Sequence, residues 1–107
     1  MVTHGRLHPS DACELVSLNA VEPGRGIGTA LLGVVEDTAR DRGAARVWLI
    51  TTNDNPQALG FYQWHGYRLV AVHAGAVDAA RALKPSIPKR GVNGVPLHDE
   101  LELEKRL

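Results

Sequence analysis

Residues 55–67 read NPQALGFYQWHGY, and the element they specify decides how the chain around them is organised. Asparagine followed by proline is a helix start: the Asn side chain accepts from the first backbone N–H groups, and the fixed φ of proline suits the first helical position. The helix runs to His65, and Gly66 ends it. On both sides the pattern changes. Upstream, Arg46–Thr52 (RVWLITT) is rich in β-branched and aromatic residues without clean alternation, as expected of an interior strand covered on both faces. Downstream, Tyr67–His73 (YRLVAVH) reads as another strand.

Further upstream, EPGRGIG (22–28) leads into apolar residues at Ile27, Ala30, Leu31, Val34 and Val35, with Glu36, Asp37, Arg40, Asp41 and Arg42 mostly elsewhere. That spacing is a helical stripe. Gly43 suits the left-handed position just past the helix, and Arg40 and Arg42 complement the negative end of its dipole. Before the glycines, Cys13–Val21 (CELVSLNAV) is a strand. It alternates imperfectly, with Glu14, Val16, Leu18 and Ala20 on one face and Cys13, Leu15, Ser17, Asn19 and Val21 on the other, and both faces are expected to be largely covered. Val2–Leu7 is a short, weak strand candidate, followed by the turn signal Pro9-Ser10-Asp11.

After His73, DAARAL from Asp78 predicts a short helix capped by the Asp side chain and ended by Pro85 and Pro88. Lys84–His98 reads as a loop. The closing ELELEKRL (100–107) alternates with period two, as in a half-exposed strand near a sheet edge. The sequence of elements is strand, strand, helix, strand, helix, strand, helix, strand. This places the chain in the α/β (α+β) class, around a mixed sheet flanked by helices. One domain over residues 1–107 is expected, with a core over 13–73 and a helix, loop and strand over 74–107.

Composition narrows the function. Twelve basic and twelve acidic side chains cancel in 107 residues, so no bulk positive field exists to hold nucleic acid or an anionic membrane. Hydrophobic residues make up 44% of the chain and charged residues 22%, as in folded globular domains. The apolar runs are too short to span a bilayer, and no N-terminal leader pattern is present. With one cysteine, Cys13, no intrachain disulfide forms, and a reducing cytoplasm is the expected compartment. No metal site is expected.

A helix N-terminus leaves roughly four backbone N–H groups without intrahelical partners and carries partial positive charge, which suits phosphate. Glycines at 24, 26 and 28 remove Cβ atoms that would hold a phosphate oxygen away. Taken alone, they are equally a tight strand-to-helix turn. No Gly-Lys-Ser/Thr follows, as a P-loop requires. Counting GxGxxG from Gly24 puts Thr29 where a dinucleotide fingerprint has its third small residue.

NxxA (Asn55–Ala58), then Phe61-Tyr62, then Gly66-Tyr67 before a strand carries the decision. Together LNAVEPGRGIGTALL, its helix, WLITTNDN, NPQALGFYQWHGY and RLVAV resemble the coenzyme-binding half of the GNAT superfamily of N-acetyltransferases over about residues 13–73. The resemblance implies a mainly antiparallel sheet. In it the strand matching 14–21 splays from the strand matching 46–52, and the acyl-CoA pantetheine arm lies in the gap. It further implies that backbone groups of Asn19, Ala20 and Val21 face the thioester and pantetheine, that Arg25, Gly26, Ile27, Gly28, Thr29 and Ala30 surround the pyrophosphate, and that Asn55 contacts the pantetheine arm. Acetyl-CoA is the implied co-substrate, and a small-molecule or protein amine the acceptor.

Amine attack on a thioester needs a base for the ammonium proton and an acid near the departing sulfur. Tyr62 matches the family's acid. Glu14 sits where some relatives place a base, and is equally a solvated strand-end carboxylate. His65 and His73 read as surface or structural residues, and Cys13 beside Glu14 is no nucleophile.

The sequence departs from the family pattern at Pro23, where Arg or Gln is usual, in a shorter glycine loop, and in lacking the usual N-terminal strand and helices. Little precedes the strand at Cys13, so an exposed apolar edge or face and a homo-oligomer, most simply a dimer, are expected. Two alternatives stand beside the enzyme: a non-catalytic acyl-CoA-binding or regulatory domain, and a nucleotide-binding module using the same loop.

Overall fold

A computed structural model describes residues 2–8, 12–19 and 26–107. Its elements are β1 (Val2–His8), β2 (Ala12–Asn19), α1 (Ile27–Asp41), β3 (Arg46–Thr52), α2 (Pro56–Trp64), β4 (Arg68–His73), α3 (Ala76–Leu83) and β5 (Glu100–Arg106), with one 3-10 turn at Val92–Gly94. The order of strands and helices is the one read from the sequence. The sheet order is β1-β2-β3-β5-β4. The expected mixed, mainly antiparallel sheet with flanking helices is borne out.

The chain divides into two compact units, Met1–Leu49 with Glu104–Leu107, and Ile50–Leu103. In the first, β1 pairs antiparallel with β2, and β2 pairs in parallel with β3. The β1–β2 register shifts by one residue between His4 and Gly5: His4 faces Ser17 and Gly5 faces Leu15, so Val16 is an extra residue in β2. Such a bulge bends its strand and adds twist. The imperfect alternation read through Cys13–Val21 has its register break at Val16.

α1 buries Leu32, Val35 and Ala39, spaced i, i+3 and i+7. The stripe read from the sequence is turned from this face, for Val34 is 61% exposed and Leu32 only 2%. Apolar residues nearly encircle the first half of α1, so their spacing allows more than one inward face. The helix stops at Gly43 as expected. With φ at 82°, Gly43 donates its N–H to Arg40 O, and Ala44 donates to Ala39 O, the paired bonds of a Schellman cap. In β3, Val47 and Leu49 are buried while Arg46 and Trp48 are half-covered, so one face is more closed than the other. Arg46 pairs with Glu104 at 3.3 Å, and Lys105 with Glu36 at 3.1 Å.

In the second unit α2 begins as read: Pro56 is its first residue, and Asn55 Oδ1 accepts from Ala58 N at 3.1 Å. One other reading is corrected. α3 starts at Ala76 with Gly75 as N-cap, not at Asp78, because Gly75 takes a left-handed φ of 73° and its N–H donates to Asp99 Oδ1 at 2.8 Å. Asp78 lies inside the first turn, where a carboxylate still favours the dipole. β5 lies between β3 and β4, one strand in from the edge and so near it, as read. Leu103 is fully buried, and Glu102 pairs with His73 at 3.0 Å. β4 forms one edge of the sheet, with β1 at the other, and exposes Leu69, Val70 and Val72.

Candidate active site

Each unit carries part of the predicted site. In the first, the β2–β3 ladder runs from Ala12↔Arg46 to Leu15↔Leu49, and Ser17–Asn19 pair with β1 alone among the described residues, while Val16 is in neither ladder. The bulge at Val16 coincides with the point where β2 leaves β3. Backbone N–H and C=O groups on the far side of β2 beyond Leu15 are thus outside the β3 ladder. Sequence reading missed Val16, since a bulge is a property of pairing and leaves no compositional mark.

Glu14 sits on β2, opposite Arg6 on β1 and Trp48 on β3, and is half-buried. Asn19 ends the strand. Ala20, Val21 and Arg25, with Pro23 and Gly24, lie outside the described residues. Gly26 is the N-cap of α1, with φ at 72°; no side chain caps the helix there, and its first turn holds no acid. Gly26 O accepts from Ala30 N at 3.0 Å, closing the first turn. Ile27, Gly28, Thr29 and Ala30 form that turn, at a positive helix end that no acidic side chain of its own first turn neutralises.

In the second unit α2 carries Asn55 and Tyr62. Asn55 Oδ1 is occupied by the cap, whereas its Nδ2 bonds to no described residue. Tyr62 is half-buried, with its ring edge-on to Phe61 at 5.3 Å and to Tyr67 at 5.7 Å. Tyr67 is 2% exposed, so the aromatic cluster is anchored at its inner end. Burial raises the Tyr62 pKa, and its hydroxyl bonds to no described residue. A phenol so placed keeps its proton and can donate it to an incoming acceptor.

A polar frame around Asn53 and Asp54, just before α2, is not legible in the sequence. Asn53 N donates to Asp99 O, and Asn53 Oδ1 accepts from His98 N and Asp99 N, each at 2.9 Å. Asp54 is 6% exposed and accepts from the Thr52 hydroxyl. Gly91 lies so close to Asp54 that a Cβ there would overlap its carboxylate. Arg81 donates to the carbonyls of Ile87, Pro88 and Leu97 and pairs with Asp78 at 2.7 Å. His98 Nδ1 lies 3.0 Å from both Asp78 oxygens, and these partners, His98 first and Arg81 second, lower the Asp78 pKa. The partners lie up to 46 positions apart in sequence, so no local motif could have joined them.

Among the described residues no group of three or more His, Cys, Asp and Glu could hold a metal ion, and no helix is long and apolar enough to cross a membrane. Cys13 is buried.

The profile of the Acetyltransferase (GNAT) family matches residues 15–67, and the chain belongs to that family. The uncharacterized protein YxbD of Bacillus subtilis is 50% identical over 97 residues, covering 91% of this chain and 61% of its own length. The chain thus spans about three-fifths of that relative. Among solved structures, an IAA acetyltransferase from Bacillus cereus superposes with a TM-score of 0.84 at 22% identity, covering 98% of this chain and 68% of its own. A Bacillus subtilis acetyltransferase in complex with CoA gives 0.82 at 21%, covering 98% and 67%. At these identities the structures speak for the fold.

Proposed function

We propose that the chain is an N-acetyltransferase that moves an acetyl group from acetyl-CoA to an amine. The observation that carries this reading is the end of the β2–β3 ladder at Leu15↔Leu49, beside the Val16 bulge, in a strand that leads toward an uncapped helix N-terminus. A thioester and its pantetheine need backbone partners that a complete sheet would have consumed, and a pyrophosphate needs free N–H groups with positive charge behind them. Family membership and the CoA held by the Bacillus subtilis acetyltransferase support the same ligand.

In this reading Asn19, Ala20 and Val21 offer backbone groups to the thioester and pantetheine. Arg25, Gly26, Ile27, Gly28, Thr29 and Ala30 hold the pyrophosphate, and Asn55 Nδ2 donates to the pantetheine arm. The amine attacks the thioester carbonyl carbon, the C–S bond breaks, and Tyr62 donates a hydrogen bond to the departing thiolate. Glu14 takes the proton of the attacking ammonium, directly or through water. No step calls on a metal. The chain acts as one catalytic domain, core 13–73 with tail 74–107, in the cytoplasm, where a lone buried Cys13 stays reduced.

The test is release of free CoA from acetyl-CoA on addition of a broad amine panel, with the acetylated product confirmed by mass. Amine-dependent release is expected. Tight binding of acetyl-CoA with no transfer to any amine would favour a non-catalytic acyl-CoA-binding domain.

A further inference from the structure

Acid and base are segregated along the last third of the chain. From Ala79 to His98 there are four cationic side chains, Arg81, Lys84, Lys89 and Arg90, and no Asp or Glu, whereas Asp99–Glu104 holds four acids. In a chain of zero formal charge this leaves a local positive field over one loop. Arg81 is spent on the loop's own carbonyls and Asp78, and Arg90 gives one N–H to Gly94 O at 3.0 Å. Lys84 and Lys89 are exposed, and their ammonium groups bond to no described residue.

This loop is held in place. Arg81 ties it to α3, Asn53 Nδ2 donates to Pro96 O at 2.8 Å, and Gly91 packs directly on Asp54. Lys89 and Arg90 are therefore within two residues of a contact to Asp54, which immediately precedes Asn55 at the start of α2. A basic loop with no fixed anchor would be a solvated surface. This one is fastened through Gly91 to Asp54, the residue before the N-cap of the helix that carries Tyr62.

We infer that Lys84, Lys89 and Arg90 recognise an anionic group on the acceptor, so that the acceptor is a small amine also bearing a carboxylate or phosphate. The inference rests on the acetyltransferase reading and names the substrate class for it. Exposed cations act mainly through long-range attraction, so their effect should appear in kcat/KM and fall with salt.

The experiment compares an amino-carboxylate with its carboxamide at equal concentrations of free amine, using the whole protein and the exposed double variant Lys84→Glu with Lys89→Glu. The expected result is about a tenfold preference for the anionic member, shrinking as salt is raised and lost in the variant, with the acetyl-CoA Kd unchanged in both proteins. Equal kcat/KM for the two amines, or a preference the variant keeps, would overturn the inference. So would a weaker acetyl-CoA Kd in the variant, which would assign these cations to the coenzyme phosphates. Absence of transfer to every amine, with acetyl-CoA bound, would instead remove the acetyltransferase reading and this inference with it.

Discussion

Tyr62 is edge-on to Phe61 and Tyr67, and its hydroxyl is left for a partner outside the described residues. An acid that serves a thiolate must still hold its proton at working pH. Burial raises the Tyr62 pKa above the ordinary phenol value of about 10, so the protonated form persists through neutral and mildly alkaline solution. Any rate loss from its ionisation should therefore fall above that range. Tyr62→Phe removes only the hydroxyl and leaves the ring packing in place. We expect turnover to fall about 10- to 100-fold, measured by CoA release, with the acetyl-CoA Kd little changed. Unchanged turnover would take Tyr62 out of the reaction. Among the site residues, Asn55 was the most legible from sequence because an N-cap is written locally, in the cap residue and the proline after it.

Elements were legible where their signals are local and misread where tertiary structure decides. Asn55-Pro56 and Gly43 mark helix ends through backbone chemistry confined to a few residues, and both appear where expected. Asp78 looked like a cap, but the start of α3 is set by Gly75 and by Asp99, 24 positions away. The alternation of β5 was correctly a strand signal and said nothing about which strands would flank it. Arg81 was invisible for the same reason, although it fastens the whole 84–98 loop. Charge-assisted hydrogen bonds contribute about 1.5–3 kcal/mol each, and solvent offsets part of that for a side chain still reached by water. We expect Arg81→Ala to destabilise the protein by roughly 2–3 kcal/mol in chemical denaturation. A change under about 0.5 kcal/mol would mean that the loop is held without it.

Across the whole molecule, the class of fold followed from element order, because strands alternating with helices admit few layer arrangements. The strand order and the Val16 bulge did not follow, since both depend on pairing between residues far apart. β4 ends the sheet with Leu69, Val70 and Val72 exposed, and Trp64 on α2 is 87% exposed. Apolar side chains along an unpaired strand edge favour association, and a homodimer is proposed. Light scattering coupled to size exclusion should give twice the 11.6 kDa chain mass at micromolar concentration. Monomer throughout that range would contradict it.

In the proposed function the broken β2–β3 ladder and the glycine-started N-terminus of α1 hold acetyl-CoA. Isothermal titration of the protein with acetyl-CoA, CoA and NAD should then give saturable binding of acetyl-CoA and CoA at one site per chain and none of NAD; absence of heat with either coenzyme A species, or binding of NAD in their place, would overturn that assignment.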